Sequence, residues 1–398
     1  MSNVKIFTDN VEQEAINQIA TLVKQPAFEN SKIRIMPDVH AGTGCVIGFT
    51  ANLGNKVIPN IVGVAIGCGM LCFVLGKIDI DLSLLDYTIR KTIPSGRNVN
   101  ETHKPTLMLE HLTKPVRDAL NDKERILCSI GTLGGGNHFI EIDEDSDGVK
   151  YLIIHTGSRN LGTQVAKYYQ NLAISNLTGR NRNNEAQKNL IARLKREGKS
   201  RSIEAMIKQF KEDSERFNPA IPKELCYLEG EDAQHYLHDM YICQRFARRN
   251  RKEIAQRITN FLWITTLFSF ETVHNYIDPI SGIVRKGAVS AKLDEKLLIP
   301  MNMRDGCLIC TGKGNADWNY SAPHGAGRAM SRTEAREHLD LKEYKEQMNG
   351  IFTTSVSEKT IDEAPMAYKP MQEILENIKD TVTVNKVIRP IYNFKAEE

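Results

Sequence analysis

The sequence predicts a mixed α+β fold with central β-sheets, surrounding helices and an all-helical insertion over about 163–265. Three observations point there. Short apolar runs of strand length end repeatedly in glycine-rich bends, residues 163–265 follow helical spacing instead, and blocks suited to chemistry lie on both sides of that stretch. The two flanks are therefore expected to form one unit, residues 1–398, although 398 residues would also accommodate two domains.

Composition sets the class. Apolar residues at 41% and charged residues at 25% are those of a soluble globular protein. A net charge of +3 is too small to require a nucleic-acid partner, so the distribution of charge matters more than its sum. The best membrane candidate, Phe261 to Phe270, is too short to span a bilayer. Met1 to Lys5 shows no signal-peptide pattern, and eight cysteines are scattered without a disulfide framework, so a reducing, cytoplasmic compartment is expected. The lone Cys307-x-x-Cys310 lacks a second pair for zinc and reads as strand interior.

Along the chain, Asp9 with Glu12 has the pattern of a capping box, and Ile16, Ile19, Ala20 and Val23 continue a helix that Pro26 closes. Lys32 to Met36 alternates as a strand and ends in Pro37-Asp38-Val39-His40, where an aspartate and a histidine two apart suit metal or phosphate chemistry. Ile58 to Val62 and Met70 to Leu75 read as buried strands joined by Gly63-Val64-Ala65-Ile66-Gly67-Cys68-Gly69. A thiol on such a bend is either a core cysteine or a soft metal ligand. Residues 80 to 125 read as helical.

From Ile126 the texture changes. Ser129 to Gly136 is a glycine-rich bend feeding a strand, with His138, Ile140 and Ile142 on one face and Asn137, Phe139 and Glu141 on the other. Tyr151 to His155 is a further strand, ending in Thr156-Gly157-Ser158-Arg159-Asn160 at a helix start, a natural cradle for an oxyanion or phosphate. No GxxxxGK[ST] occurs, so a nucleotide would not be held by a P-loop.

Within the helical stretch, Ile203, Met206, Ile207 and Phe210 form an apolar stripe of core character. Arg180, Arg182, Lys188, Arg193, Lys195, Arg196, Lys199 and Arg201 make one basic run, and Arg245, Arg248, Arg249, Arg251, Lys252 and Arg257 a second. Such runs are ordinarily solvated faces, and equally a nucleic-acid surface. His235 and His238 read as surface residues. Further on, His274 and Asn275 follow an apolar run, Pro300 to Met303 precede another strand, and His324 lies on an exposed turn followed by Gly325-Ala326-Gly327-Arg328. An imidazole there suits a phosphate nucleophile, with the arginine balancing charge. The terminal strand carries Lys395 back towards the same region. Cys68, His138, His155 and His274 all fall at strand or loop ends, a donor set that fits a borderline-soft divalent metal.

The blocks MPDVHAGTG, GCGM, LGGGNHFIE, HTGSRNLG, the His274–Asn275 pair, SAPHGAGRAMSR, DEAPMAYK and YNFK, in this order from about residue 33 to 395, resemble the RtcB family of RNA ligases. The resemblance implies a single RtcB-like catalytic domain that joins an RNA 3′-phosphate or 2′,3′-cyclic phosphate to a 5′-hydroxyl, using GTP and manganese. It implies that His324 takes up GMP as a phosphoramidate, that GMP passes to the RNA 3′-phosphate, and that the 5′-hydroxyl displaces it. It also implies that Cys68 bridges two manganese ions, with His155 and His274 completing one shell and His138 serving the other. Guanylate contacts map onto Asn137, Phe139, Glu141, Asn275, Pro300, Met301, Asn302, Met303, Gly325, Ala326, Gly327 and Lys395. The implied partners are RNA and GTP, with no membrane; the resemblance leaves the natural RNA and any activating protein open.

One position departs. The family carries a manganese-binding aspartate three residues before the bridging cysteine, where this chain has Ala65. A methyl group donates no electron pair, so ligation and guanylylation of His324 are expected to be severely impaired, as by a single substitution in an otherwise competent ligase. Two other readings share these residues: a metal-dependent RNA terminal phosphoesterase that needs no His324 nucleophile, and a non-catalytic RNA-binding protein.

Overall fold

The structure, a computed structural model, describes residues 3–178, 189–196, 203–204, 206–209, 221–265 and 267–396. Of the basic and apolar positions read in the helical stretch, Arg180, Arg182, Lys188, Lys199, Arg201 and Phe210 lie outside the described residues. The strands, in chain order, are β1 (Asn3–Ile6), β2 (Lys32–His40), β3 (Ile47–Asn52), β4 (Gly69–Gly76), β5 (Phe139–Glu144), β6 (Lys150–Thr156), β7 (Phe268–Val273), β8 (Asn275–Ile277), β9 (Ile283–Lys286), β10 (Ala288–Ser290), β11 (Lys296–Asn302), β12 (Gly306–Gly312), β13 (Ser321–Pro323) and β14 (Val382–Lys395). They form a seven-stranded sheet in the order β11-β12-β14-β5-β6-β4-β7, a five-stranded sheet in the order β1-β2-β3-β9-β8, and the pair β10-β13. With the helices around them, this is the mixed α+β fold that the sequence predicts.

The larger sheet is antiparallel throughout. Side chains alternate along each strand, so each strand serves two cores. Leu71, Ile140, Ile142, Leu152 and Ile154 pack one face against Ile254 and Ile258 of the long helix Gly230–Phe261. Met70, Cys72, Ile153, Leu298, Cys307 and Ile388 fill the other face. The Leu298 N–H donates to Thr272 Oγ1 at 3.0 Å, so the two end strands, β11 and β7, meet and the sheet curls towards closure. Cys307 and Cys310 belong to different cores, and all eight cysteines are free, as a strand-interior CxxC requires.

Three local expectations are corrected. Of residues 80 to 125, α-helix covers only Leu82–Thr92, Lys114–Ala119 and the start of Lys123–Cys128, with one 3-10 turn at Met108–His111; Pro94 and Gly96 stop the first helix. Pro59–Val62 is a helical turn rather than a strand, because Pro59 at its first turn fixes a helical φ and has no N–H to leave unpaired. The first helix, Gln13–Leu22, takes Glu12 as N-cap, and no side chain caps it. The Glu12 carboxylate instead accepts the Ala41 N–H at 2.5 Å, a tertiary bond that outcompetes the local box. Among the described residues no helix is long and apolar enough to cross a membrane.

Candidate active site

The strand order itself builds the site. In the run β5-β6-β4-β7, alternating directions bring the starts of β5 and β4 and the ends of β6 and β7 to a single edge. Register fixes this: Phe139 and Met70 flank His155, and Gly69 pairs with Thr156 and Val273. Cys68, His138, His155 and His274 therefore converge although they are far apart in sequence.

Cys68 Sγ lies 3.3 Å from His155 Nε2 and 3.4 Å from His138 Nε2. Donor atoms of Cys68, His155 and His274 all fall within 4.8 Å of one another, and all three residues are buried. Second partners set the tautomers. His138 Nδ1 donates to the Leu133 carbonyl at 2.8 Å and His155 Nδ1 to the Asn137 carbonyl at 3.0 Å, leaving both Nε2 lone pairs aimed at the thiol. Burial, reinforced by Arg159, lowers the His138 imidazole to about 3, and burial holds those of His155 and His274 well below the ordinary value. Burial pushes the Cys68 thiol up to about 11, partly offset by Arg251 and Arg159. His274 Nδ1 is buried with no hydrogen-bond partner. Neutral imidazoles, a thiol and an orphaned ring nitrogen fit a divalent cation well, and binding would release the thiol proton.

The long helix holds these loops together. Arg251 is fully buried and donates to the carbonyls of Gly67 (2.9 Å) and Thr156 (2.6 Å) and to Glu271 (2.8 Å), tying the Cys68 bend to β6 and β7. Its neighbour Asn250 accepts the Gly131 and Thr132 N–H groups at 2.7 and 3.1 Å and donates to the Thr132 carbonyl at 3.0 Å. Gly67, at φ +69°, must lack a side chain because a Cβ would meet Gln244 Cα of this helix at 2.9 Å.

Two cavities adjoin this cluster. The first is lined by Asn137, Phe139, Glu141, His155, His274, Pro300 to Met303, His324 to Gly327 and Lys395, together with His40, Arg328, Arg332, Glu363 and Tyr368. The second is lined by Ala65, Cys68, His138, Ser158 and three guanidinium groups, those of Arg97, Arg125 and Arg159. Asn275 lines neither; its Oδ1 accepts the Gly287 N–H at 3.0 Å and its carbonyl accepts the Gly67 N–H at 2.9 Å. His235 and His238 lie elsewhere, the latter on the His111 carbonyl at 2.8 Å.

His324 is not freely exposed; its side chain retains 18% of its accessibility. Its Nδ1 lies 2.6 Å from Asp38 Oδ2, which also accepts the His324 backbone N–H at 3.0 Å. Asp38 thereby takes Nδ1–H and leaves Nε2 with its lone pair. The His324 ring meets His274 edge to face at 4.9 Å, next to the metal-type cluster. Gly327 has φ +75°, and a Cβ there would lie 2.5 Å from the Asp38 carbonyl, so glycine lets the turn close over Asp38.

At the far side, Glu363 accepts hydrogen bonds from Tyr368 Oη at 2.8 Å and from Lys395, and its other oxygen forms an ion pair with Arg332 at 2.8 Å. Although burial raises its carboxyl, Lys395 and Arg332 more than offset that and hold it at about 2. Burial lifts Glu141 to about 7, against the Asn393 amide and Lys395. Sequence reasoning assigned no site role to Arg332, Glu363 and Tyr368. The signal was their place inside SAPHGAGRAMSR and DEAPMAYK, blocks in which only His324, its glycines and Arg328 carry obvious chemistry.

The family model described as tRNA-splicing ligase RtcB matches residues 18–123 and 110–396. The chain belongs to the RtcB family. It is 29% identical to the RNA-splicing ligase RtcB of Escherichia coli over 99% of this chain and 97% of that protein. It is 26% identical to the tRNA-splicing ligase RtcB of Nanoarchaeum equitans over 91% and 87%, and 25% identical to the RNA-splicing ligase RtcB of Mycobacterium tuberculosis over 89% and 94%.

Proposed function

We propose that this RtcB-family protein is an RNA ligase that joins 3′-phosphate or 2′,3′-cyclic phosphate ends to 5′-hydroxyl ends with GTP and manganese. The observation that carries this reading is His324, an imidazole oriented by a buried carboxylate at the junction of a polar-lined cleft and a Cys–His cluster. Its Nε2 lone pair attacks the α-phosphorus of GTP; an N–P bond forms, and the bond to pyrophosphate breaks. Asp38 keeps the proton on Nδ1 and stabilises the positive charge that grows on the ring. Asn137, Glu141, Asn302 and Lys395 provide polar contacts for guanylate, and Phe139 and Pro300 an apolar wall. Cys68, His155 and His274 would hold one divalent ion, and Cys68 and His138 another. Such ions neutralise phosphate oxygens and the developing oxyanion. GMP then passes to the RNA 3′-phosphate, which the second cavity receives among Arg97, Arg125 and Arg159.

Position 65 opens onto that second cavity beside Cys68, where a carboxylate would add a hard oxygen donor for the ion that Cys68 and His138 would hold. The reading is tested with labelled GTP and manganese on the chain as it stands and on Ala65→Asp. An acid-labile, alkali-stable protein–GMP adduct and ligated RNA, strong with Ala65→Asp and lost with His324→Ala, are expected. RNA end hydrolysis without an adduct would instead establish the phosphoesterase, and RNA binding with neither activity the non-catalytic reading.

A further inference from the structure

The second cavity does not end at the Cys68 bend. It shares Val99 with a neighbouring groove lined by Lys91, His103 and Arg257. That groove in turn shares Lys104, Arg249 and Glu253 with a third, which runs along the exposed face of the helix Gly230–Phe261. The three cavities therefore adjoin one another in a row that runs from the metal-type cluster to the exposed face of that helix.

Its charge is lopsided. Among the described residues, Arg97, Arg125 and Arg159 at the inner end, and Arg245, Arg249 and Lys252 at the outer end, form no ion pair with a carboxylate. Of the acids along the channel, Glu253 is neutralised by Lys104 (2.9 Å) and Arg257 (3.3 Å), leaving Glu101 as the one without a cation partner among the described residues. Unpaired cations in a groove leave counterions to be displaced, which is the setting for a polyanion. Tyr241, half exposed, stands one helical turn before Arg245 and offers a ring on which a base can stack. Helical rise places Arg245 and Lys252 about 10 Å apart on one face, a span that several backbone phosphates cover.

Resting on the ligase reading, we infer that this channel seats the single-stranded RNA arm that carries the terminal phosphate. Its 3′ end lies among Arg97, Arg125 and Arg159, and its upstream backbone runs past Val99 to Tyr241, Arg245 and Lys252. The inner end suits the phosphate-bearing arm rather than the 5′-hydroxyl arm, because three guanidinium groups match a phosphomonoester that carries more charge than an internal phosphodiester. Arg159 is held there at φ +55°, a left-handed conformation that non-glycine residues rarely adopt. Its side chain reaches back to the Gly96 carbonyl (2.9 Å) and Thr132 Oγ1 (3.1 Å). Contacts along the outer channel are to backbone and ring faces, so the recognition is independent of sequence.

The test is fluorescence anisotropy of 5′-labelled single-stranded oligoribonucleotides bound to the full chain, titrated with KCl. Expected are tighter binding of a 3′-phosphorylated than of a 3′-hydroxyl oligonucleotide, and an affinity that rises with length until the RNA reaches the helix. In Arg245→Ala/Lys252→Ala the long RNA should lose about tenfold, and its log–log salt slope should flatten by about 1.4, with a short 3′-phosphorylated RNA unaffected. In Arg97→Ala the preference for the 3′-phosphate should shrink. Parental affinity and slope in the outer variant, or equal losses on short and long RNA, would overturn the channel. The His324–GMP adduct in the Ala65→Asp chain forms without RNA and reports on the ligase reading alone, so the two can fail separately.

Discussion

Asp38 determines what His324 can do. Because Oδ2 takes both the backbone N–H and Nδ1–H of His324, the ring is fixed in position and in tautomer. Asp38→Asn presents an amide that can donate to Nδ1 and turn the reactive proton to Nε2. Adduct formation in the Ala65→Asp background should then fall by roughly 10²-fold or more with little change in thermal midpoint. A rate within a few fold of the parent would show that Asp38 only packs the turn. Ala65 is the other decisive residue. Its carbonyl accepts the Cys68 N–H at 3.0 Å, so the backbone of the bend is closed independently of the side chain at this position. On the proposed reading, Ala65→Asp should add a metal ligand without refolding the loop, read as a larger manganese-induced rise in melting temperature.

At the scale of elements, one buried arginine joins the strand ends beside Cys68, His155 and His274. Arg251 satisfies two carbonyls and Glu271 at once, with no solvent to replace it. Arg251→Leu should destabilise the protein by about 3–5 kcal/mol, because it leaves Glu271 and two carbonyls unpaired. The measurement is the denaturant midpoint. Arg251→Lys should recover only part of that, since an ammonium lacks the planar fork. The sequence offered Arg251 only as one member of a basic run. Arg245, Arg248 and Lys252 in that run are exposed, whereas Arg251 and Asn250 point into the protein. A difference of a few residues on a helix changes the face, and nothing in the local pattern of a basic stretch says which face packs.

For the whole molecule, acid and metal are the two levers. The Glu363 carboxyl is held at about 2, below its ordinary 4.5, so it adds stability that is complete above about pH 4.5 and disappears as pH falls towards 2. The shift corresponds to about 3 kcal/mol. Urea midpoints should drop between about pH 5 and pH 3, and Glu363→Gln should be less stable at neutral pH with a shallower acid slope. Chelation acts through the other end of the cleft. A divalent ion bound only by the folded chain at a hundred times its dissociation constant adds about 2.7 kcal/mol, so EDTA should lower the melting temperature of a manganese-loaded sample. His155→Ala should abolish that response.

The sequence alone determined the fold class, the strand-end placement of Cys68, His138, His155 and His274, and the division of Asn137, Phe139 and Glu141 from His138. Period-two alternation and glycine bends are local properties, and they hold wherever the strands pair. It also placed His324 beside phosphate-type chemistry, though on an exposed turn. Only the tertiary structure decided the rest. Strand order brought Cys68, His138, His155 and His274 to one edge, Asp38 from another sheet converted His324 from an exposed side chain into an oriented one, and packing of one long helix buried Arg251 while leaving Arg245, Arg248 and Lys252 exposed. Those outcomes depend on contacts between residues distant in sequence, and such contacts carry no signature in local spacing.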